Sequence, residues 1–159
     1  MFQDIIQETP TYPSWKKIGI YPHHGINTPL FSLRTATSLG IGEFYDLLPL
    51  IDLMAAVGMD ILQILPVNDT GMQSSPYSAL SSIALNPIYL KLTALVDAKR
   101  LSNFDELTTP LIKLEQEKRV VYSKVRQHKM RFLRSYFELQ KNSCEQTLIN
   151  FSRNNPWVH

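Results

Sequence analysis

The side chains able to do chemistry gather in the first half of the chain. Between residues 16 and 95 the carboxylates are Glu43, Asp46, Asp52, Asp60 and Asp69. Glycosyl transfer needs two such groups facing each other across a bond, one to attack or activate and one to move a proton. Asp46 and Asp52 have the spacing of a solvated helix face. Asp60 precedes an apolar run, at the N-terminal end of the strand that run would form. Asp69 opens a long polar loop and is the carboxylate best placed to meet a ligand. The alternative for all five is capping or plain solvation. His23 and His24 are adjacent, so in an extended chain their side chains point apart, and no Cys, Asp or Glu stands at ligand spacing from them. No metal site or cofactor is expected. Cys144 has no base beside it and reads as a buried structural thiol.

The loop is the stretch 68–88, "NDTGMQSSPYSALSSIALNPI". Loops of that length inside a compact domain are usually functional or disordered. Tyr77 is its one aromatic: a ring face for an apolar ligand surface and a hydroxyl for a hydrogen bond. Pro76 fixes the backbone before it and lowers the ordering cost of binding. Ser75 and Ser78 add short donors and acceptors. Packing of Tyr77 on its own domain is the alternative.

These residues need elements to hold them. "KKIGIYP" is compatible with a short strand. "GINTPLFSL" (25–33) lacks a helical period and reads as a strand, with Pro29 at a bulge or edge. Residues 34–44 form a loop. Leu47, Leu50, Ile51 and Met54 recur at helical spacing, and Gly58 suits the C′ position. Pro49 is tolerated only in a first turn, so that helix either starts near Asp46 or is kinked. "MDILQILPV" (59–67) reads as a buried strand, completing a right-handed βαβ unit with parallel strands. In such units ligands bind beyond the carboxyl ends of the strands, where loop 68–88 begins. "YLKLTAL" (89–95) suits a third extended piece. Over 108–142 a long amphipathic helix is expected, with Thr109 as N-cap and Pro110 at its first position. Its stripe is Leu114, Val121, Val125, Phe132, Tyr136 and Leu139, a spacing better suited to packing within the chain than to a coiled coil. A second short helix covers "EQTLINFSR". Residues 1–15 look irregular.

Composition excludes several classes. With 44% hydrophobic and 19% charged residues the 159-residue chain can fill a core. A net charge of +2, with no basic face interleaved with aromatics, gives nucleic acid nothing to bind. The apolar run "YDLLPLIDLMAAVGMDILQILPV" is too interrupted by Asp, Pro and Gly to span a membrane. The single cysteine and the absence of a signal-like start fit a reducing, cytoplasmic setting.

In order, "GINTPLFSLRTATSLGIGEFYDL", "GMDILQILPVNDTG" and "SSPYSALSSIALNPIYLKL" resemble the start of the 4-α-glucanotransferase family, the amylomaltases or disproportionating enzymes of glycoside hydrolase family 77. The likeness is dense over 16–95 and collinear to 159. It implies an α/β fold, the N-terminal part of a TIM (β/α)₈ barrel, with a helical insertion. It also implies retaining transfer of α-1,4-glucan segments between maltooligosaccharides. Ser75 and Tyr77 match the family's Ser-Pro-Tyr loop beside the donor sugar. Gln63, Pro66 and Asn86, with Pro76, match positions that shape that loop. Three regions follow: a lead at 1–15, the first βα units with the sugar loop at 16–95, and the helical insertion at 96–159. A full barrel typically needs about 250 residues. The family's catalytic carboxylates are therefore expected beyond residue 159, and this chain alone is expected to be inactive. A non-catalytic maltooligosaccharide-binding module and an inactive truncated-gene product are the alternatives.

Overall fold

The structure, a computed structural model, describes residues 2–158. It is a mixture of helix and strand. Two short helices come first, α1 (Phe2–Gln7) and α2 (Tyr12–Ile18). The expected irregular lead is thus helical. Pro13 falls in the first turn of α2, where its missing N–H costs nothing. The strand suggested for "KKIGIYP" is absent, because Ile18 ends α2 and Gly19 turns the chain away.

The βαβ unit is present. Strand β1 (Gly25–Thr28) runs parallel to β2 (Ile61–Ile64), in register Gly25↔Ile61 through Thr28↔Ile64. The crossover carries helix α3 (Leu47–Ala56), which a single 3₁₀ turn at Phe44–Asp46 leads into. Pro49 occupies the first turn of α3, and Gly58 adopts φ 77° just past its end, as the sequence predicts. Both strands are shorter than expected, and Pro29 ends β1 instead of bulging it. Gly25 is required by close approach: a Cβ there would lie 1.7 Å from the Ile61 carbonyl oxygen.

Residues 89–95 are not extended. They form 3₁₀ turns at Pro87–Tyr89 and Leu92–Ala94, burying Ile88, Tyr89 and Leu92 together. The long helix expected over 108–142 is two. Helix α4 (Phe104–Glu115) and helix α5 (Tyr122–Asn154) pack side by side. Pro110 lies inside α4, and Thr109 caps nothing: its hydroxyl donates back to the Asp105 carbonyl at 2.7 Å. The short helix expected at "EQTLINFSR" is the C-terminal end of α5. That helix is 33 residues long, about 50 Å.

The core lies between this hairpin and the segments 30–44 and 88–101. Leu107, Leu111 and Leu114 from α4 meet Val125 and Phe132 from α5, with Leu30, Ile41, Ile88 and Leu92 closing the other side. The outer face of α3 is apolar and open, with Leu48, Ile51, Leu53 and Val57 exposed. No described helix is long and apolar enough to cross a membrane.

Candidate functional site

Because β1 and β2 are parallel, the segments that leave their carboxyl ends emerge on the same side. These are residues 29–44 and the loop 65–88. The second is ordered at its base. Asn68 and Leu85 form an antiparallel bridge. Asp69 N–H donates to Ala84 at 2.9 Å, Asn86 N–H to Val67 at 2.9 Å and Leu80 N–H to Asp69 at 2.8 Å. Inside it, the Thr70 hydroxyl donates to the Gln73 carbonyl, and the Ser81 hydroxyl oxygen accepts from Ile83 and Ala84 N–H. At the tip, Ser78 N–H donates to the Ser75 carbonyl at 3.1 Å, a β-turn with Pro76 at its second position.

That framework presents Tyr77 outward. Its side chain is 72% exposed, and Ser75 and Ser78 flank it in the open. Pro76 is half-buried, Pro66 is exposed at the loop's entrance, and Gln63 sits in β2 opposite Asn27. Asp69 and Asn86 meet at the base through Arg126 of α5. The guanidinium Nη1 donates to Asp69 Oδ1 at 3.2 Å and reaches Asn86 Oδ1 at 3.4 Å. Asp69 Oδ1 also accepts the Gly71 N–H, while its Oδ2 accepts no bond among the described residues. Asn86 is buried, and its Oδ1 takes the Ile88 N–H, capping the turn that follows.

The first segment, 29–44, is fixed by charges that the sequence reading leaves at the surface. Asp46 is buried: Oδ1 accepts the Thr35 hydroxyl, and Oδ2 accepts the Ser38 hydroxyl and the Glu43 N–H, each at 2.7 Å. Glu43 is fully buried against Lys129 of α5, Nζ to Oε1 2.6 Å, and Lys91 Nζ lies 3.0 Å from Oε2. Lys129 also donates to the Leu90 carbonyl, and Lys91 to that of Thr37. Burial pushes the Lys129 ammonium below its ordinary pKa, against the pull of Glu43. Glu115 of α4 accepts the Gly40 N–H at 2.8 Å and faces Arg34, and burial raises its pKa. Tyr89 and Tyr122 share a 2.7 Å hydrogen bond, and desolvation holds both phenols above their usual value.

So the carboxylates around the loop are already engaged: Glu43 with ammonium groups, Asp46 with hydroxyls and an amide, Asp69 with a guanidinium. His23 and Asp60 do come together, Nδ1 to Oδ2 2.5 Å, but at the amino ends of the strands, far from the loop in topology. Asp52 lies exposed on α3, and Cys144 is half-buried on α5 with a free thiol, not the buried thiol expected. No group of His, Cys, Asp and Glu able to hold a metal exists among the described residues.

Comparison with known proteins bears on what this arrangement serves. The 4-alpha-glucanotransferase profile of glycoside hydrolase family 77 matches residues 28–159. The chain belongs to the 4-alpha-glucanotransferase family. It is 42% identical over 159 residues to a 4-alpha-glucanotransferase of Chlamydia muridarum, covering 98% of this chain and 30% of that protein. Identity is 46% over 133 residues with the enzyme of Chlamydia caviae, covering 84% and 25%. It is 38% over 123 residues with a 4-alpha-glucanotransferase of Oryza sativa, covering 74% and 13%. This member of the family thus spans about a third or less of the length of the curated relatives it matches. The family implies a TIM-barrel enzyme. The ordered loop and the buried Glu43 cluster both follow the carboxyl ends of β1 and β2, and α5 holds both, through Arg126 and Lys129.

Proposed function

We propose that these residues form the N-terminal, sugar-binding portion of a 4-alpha-glucanotransferase. The reaction moves an α-1,4-glucan segment from one maltooligosaccharide to the 4-hydroxyl of another with retention of configuration. A carboxylate attacks the anomeric carbon as the leaving oxygen is protonated, and the acceptor hydroxyl then displaces the carboxylate. In this reading β1 and β2 are the first strands of a (β/α)₈ barrel, and α4–α5 is a helical insertion. Tyr77 packs on a glucosyl ring, Ser75 and Ser78 hydrogen-bond its hydroxyls, and the free Oδ2 of Asp69 takes another. Gln63, Pro66, Pro76 and Asn86 hold the loop in place.

The observation that carries the reading is an aromatic ring held far out of the core on a loop closed by its own hydrogen bonds. A side chain 72% exposed on a rigid frame has surface to give to a ligand at little ordering cost. The engaged state of Glu43, Asp46 and Asp69 supports placing the nucleophile and the acid/base outside residues 1–159. Incubation of the 159-residue chain with maltotriose tests this. No glucose or longer oligosaccharide is expected, and disproportionation by this chain alone would overturn the assignment. Calorimetry with maltoheptaose tests the binding role: weak binding is expected, and it should vanish in Tyr77→Ala.

A further inference from the structure

A cavity of about 400 Å³ lies beside the sugar loop, between residues 31–34, Ser74 and the α4–α5 connection. Its walls are of two kinds. Phe31 and Tyr122 meet edge to face, with centroids 6.3 Å apart, and supply an apolar side. Arg34, Lys118 and Arg119 supply three cations, and no carboxylate lines the cavity.

The charges are unequally matched. Arg34 faces Glu115 at 3.4 Å and donates to the Glu117 carbonyl through Nη2. Its Nη1 is buried without a hydrogen-bond partner. Lys118 and Arg119 are exposed on the connection and pair with no described carboxylate. After Glu115 is set against Arg34, two positive charges remain, those of Lys118 and Arg119. A phosphomonoester matches that count: it carries about −1.5 to −2 charge near neutral pH and offers three acceptor oxygens to guanidinium and ammonium donors. The volume lies within the range of small-ligand pockets and leaves room for a sugar ring against Phe31 and Tyr122.

We propose that this cavity binds a phosphorylated monosaccharide, with Arg34, Lys118 and Arg119 on the phosphoryl group and the aromatic pair against the ring. The site is separate from Tyr77 and does not depend on the role proposed for that residue. It adjoins the same loop through Ser74, so an occupant would bear on the loop's position.

Calorimetry on the 159-residue chain tests the site, with glucose 1-phosphate, inorganic phosphate and glucose as probes. Glucose 1-phosphate is expected to bind, and glucose not to compete with it. Lys118→Ala with Arg119→Ala should weaken binding at least about tenfold, with an unchanged circular dichroism spectrum, since both residues lie on an exposed connection. Tyr77→Ala should leave this binding unchanged. Tighter binding of glucose 1-phosphate than of phosphate supports the aromatic wall as well as the cations. Three results would overturn the site: no binding up to about 10 mM glucose 1-phosphate, glucose binding as tightly as its phosphate, or full affinity in the double variant.

Discussion

Replacing Lys129 with methionine probes the charge cluster that holds residues 29–44 against the helical hairpin. Lys129 and Glu43 are both shielded from water and 2.6 Å apart. Removing the lysine leaves a carboxylate in the interior, and breaking a buried pair in this way costs about 3–5 kcal/mol. Lys91 still stands 3.0 Å from the second carboxylate oxygen, which places Lys129→Met at the lower end, about 3 kcal/mol. Removing the anion is worse. Glu43→Gln leaves two ammonium groups beside a neutral amide, and its cost falls near the upper end, about 5 kcal/mol. Glu43→Gln combined with Lys129→Met removes both charges of the buried pair. The double variant should therefore be more stable than the sum of the two single losses predicts, by at least about 2 kcal/mol. The assay is urea unfolding at pH 7 followed by far-ultraviolet circular dichroism. With a slope of about 2 kcal/mol per molar urea, the Lys129→Met midpoint should drop by about 1.5 M. A drop under about 0.5 M, or a Glu43→Gln variant more stable than Lys129→Met, would refute the reasoning: the cluster would then be solvated or Lys91 would suffice.

Other consequences are open to measurement. His23 offers Nδ1 to Asp60 and Nε2 to the Gly19 carbonyl, and these two acceptors, the carbonyl first, raise its pKa, while His23 lowers that of Asp60. The histidine's contribution is full below its unfolded value and lost as pH rises through its folded one; the aspartate's is full above its unfolded value and lost as pH falls through its folded one. The clasp is therefore strongest between about pH 4 and 6.5. An NMR titration placing His23 at or below the free-imidazole value, or unmoved by Asp60→Asn, would contradict it. Gly25→Ala puts a methyl 1.7 Å from the Ile61 carbonyl oxygen and should cost about 3 kcal/mol or more in urea unfolding; an unchanged midpoint would show that the strands can part without loss. Tyr77→Ala should change stability by no more than about 0.5 kcal/mol because the ring is mostly exposed, while calorimetric maltoheptaose binding disappears. A large stability loss would mean that the ring packs on its own chain.

The βαβ unit was legible because its signals are local. Pro49 marks a first turn, Gly58 a left-handed stop, and the apolar runs either side are too short for helices. The helical hairpin was not. Residues 116–121, "QEKRVV", contain no glycine or proline, so nothing in them announces a break. The break arises because Leu107, Leu111 and Leu114 bury more surface by folding onto Val125 and Phe132 than a single straight helix could. At the amino end, Pro10 and Pro13 argue for irregular chain, yet a proline in a first turn is compatible with helix, and α2 uses it so.

The candidate site divides along the same line. Loop 68–88 and its tyrosine follow from composition, but what holds them does not. Arg126 reaches Asp69 across 57 positions and Asn86 across 40, and those contacts exist only once α5 has turned back on α4. One sequence signal did point to the missing half. Val125, Lys129 and Phe132 recur at helical spacing, which sets a lysine inside an apolar stripe. A lysine there must either reach water or meet a buried anion. Here it meets Glu43, a carboxylate that looks solvated in isolation because its partner lies 86 positions away. Reading a charge on an apolar face as a demand for its counter-ion, and searching the loops for that counter-ion, would have paired the two and taken Glu43 out of the set of candidate catalytic groups.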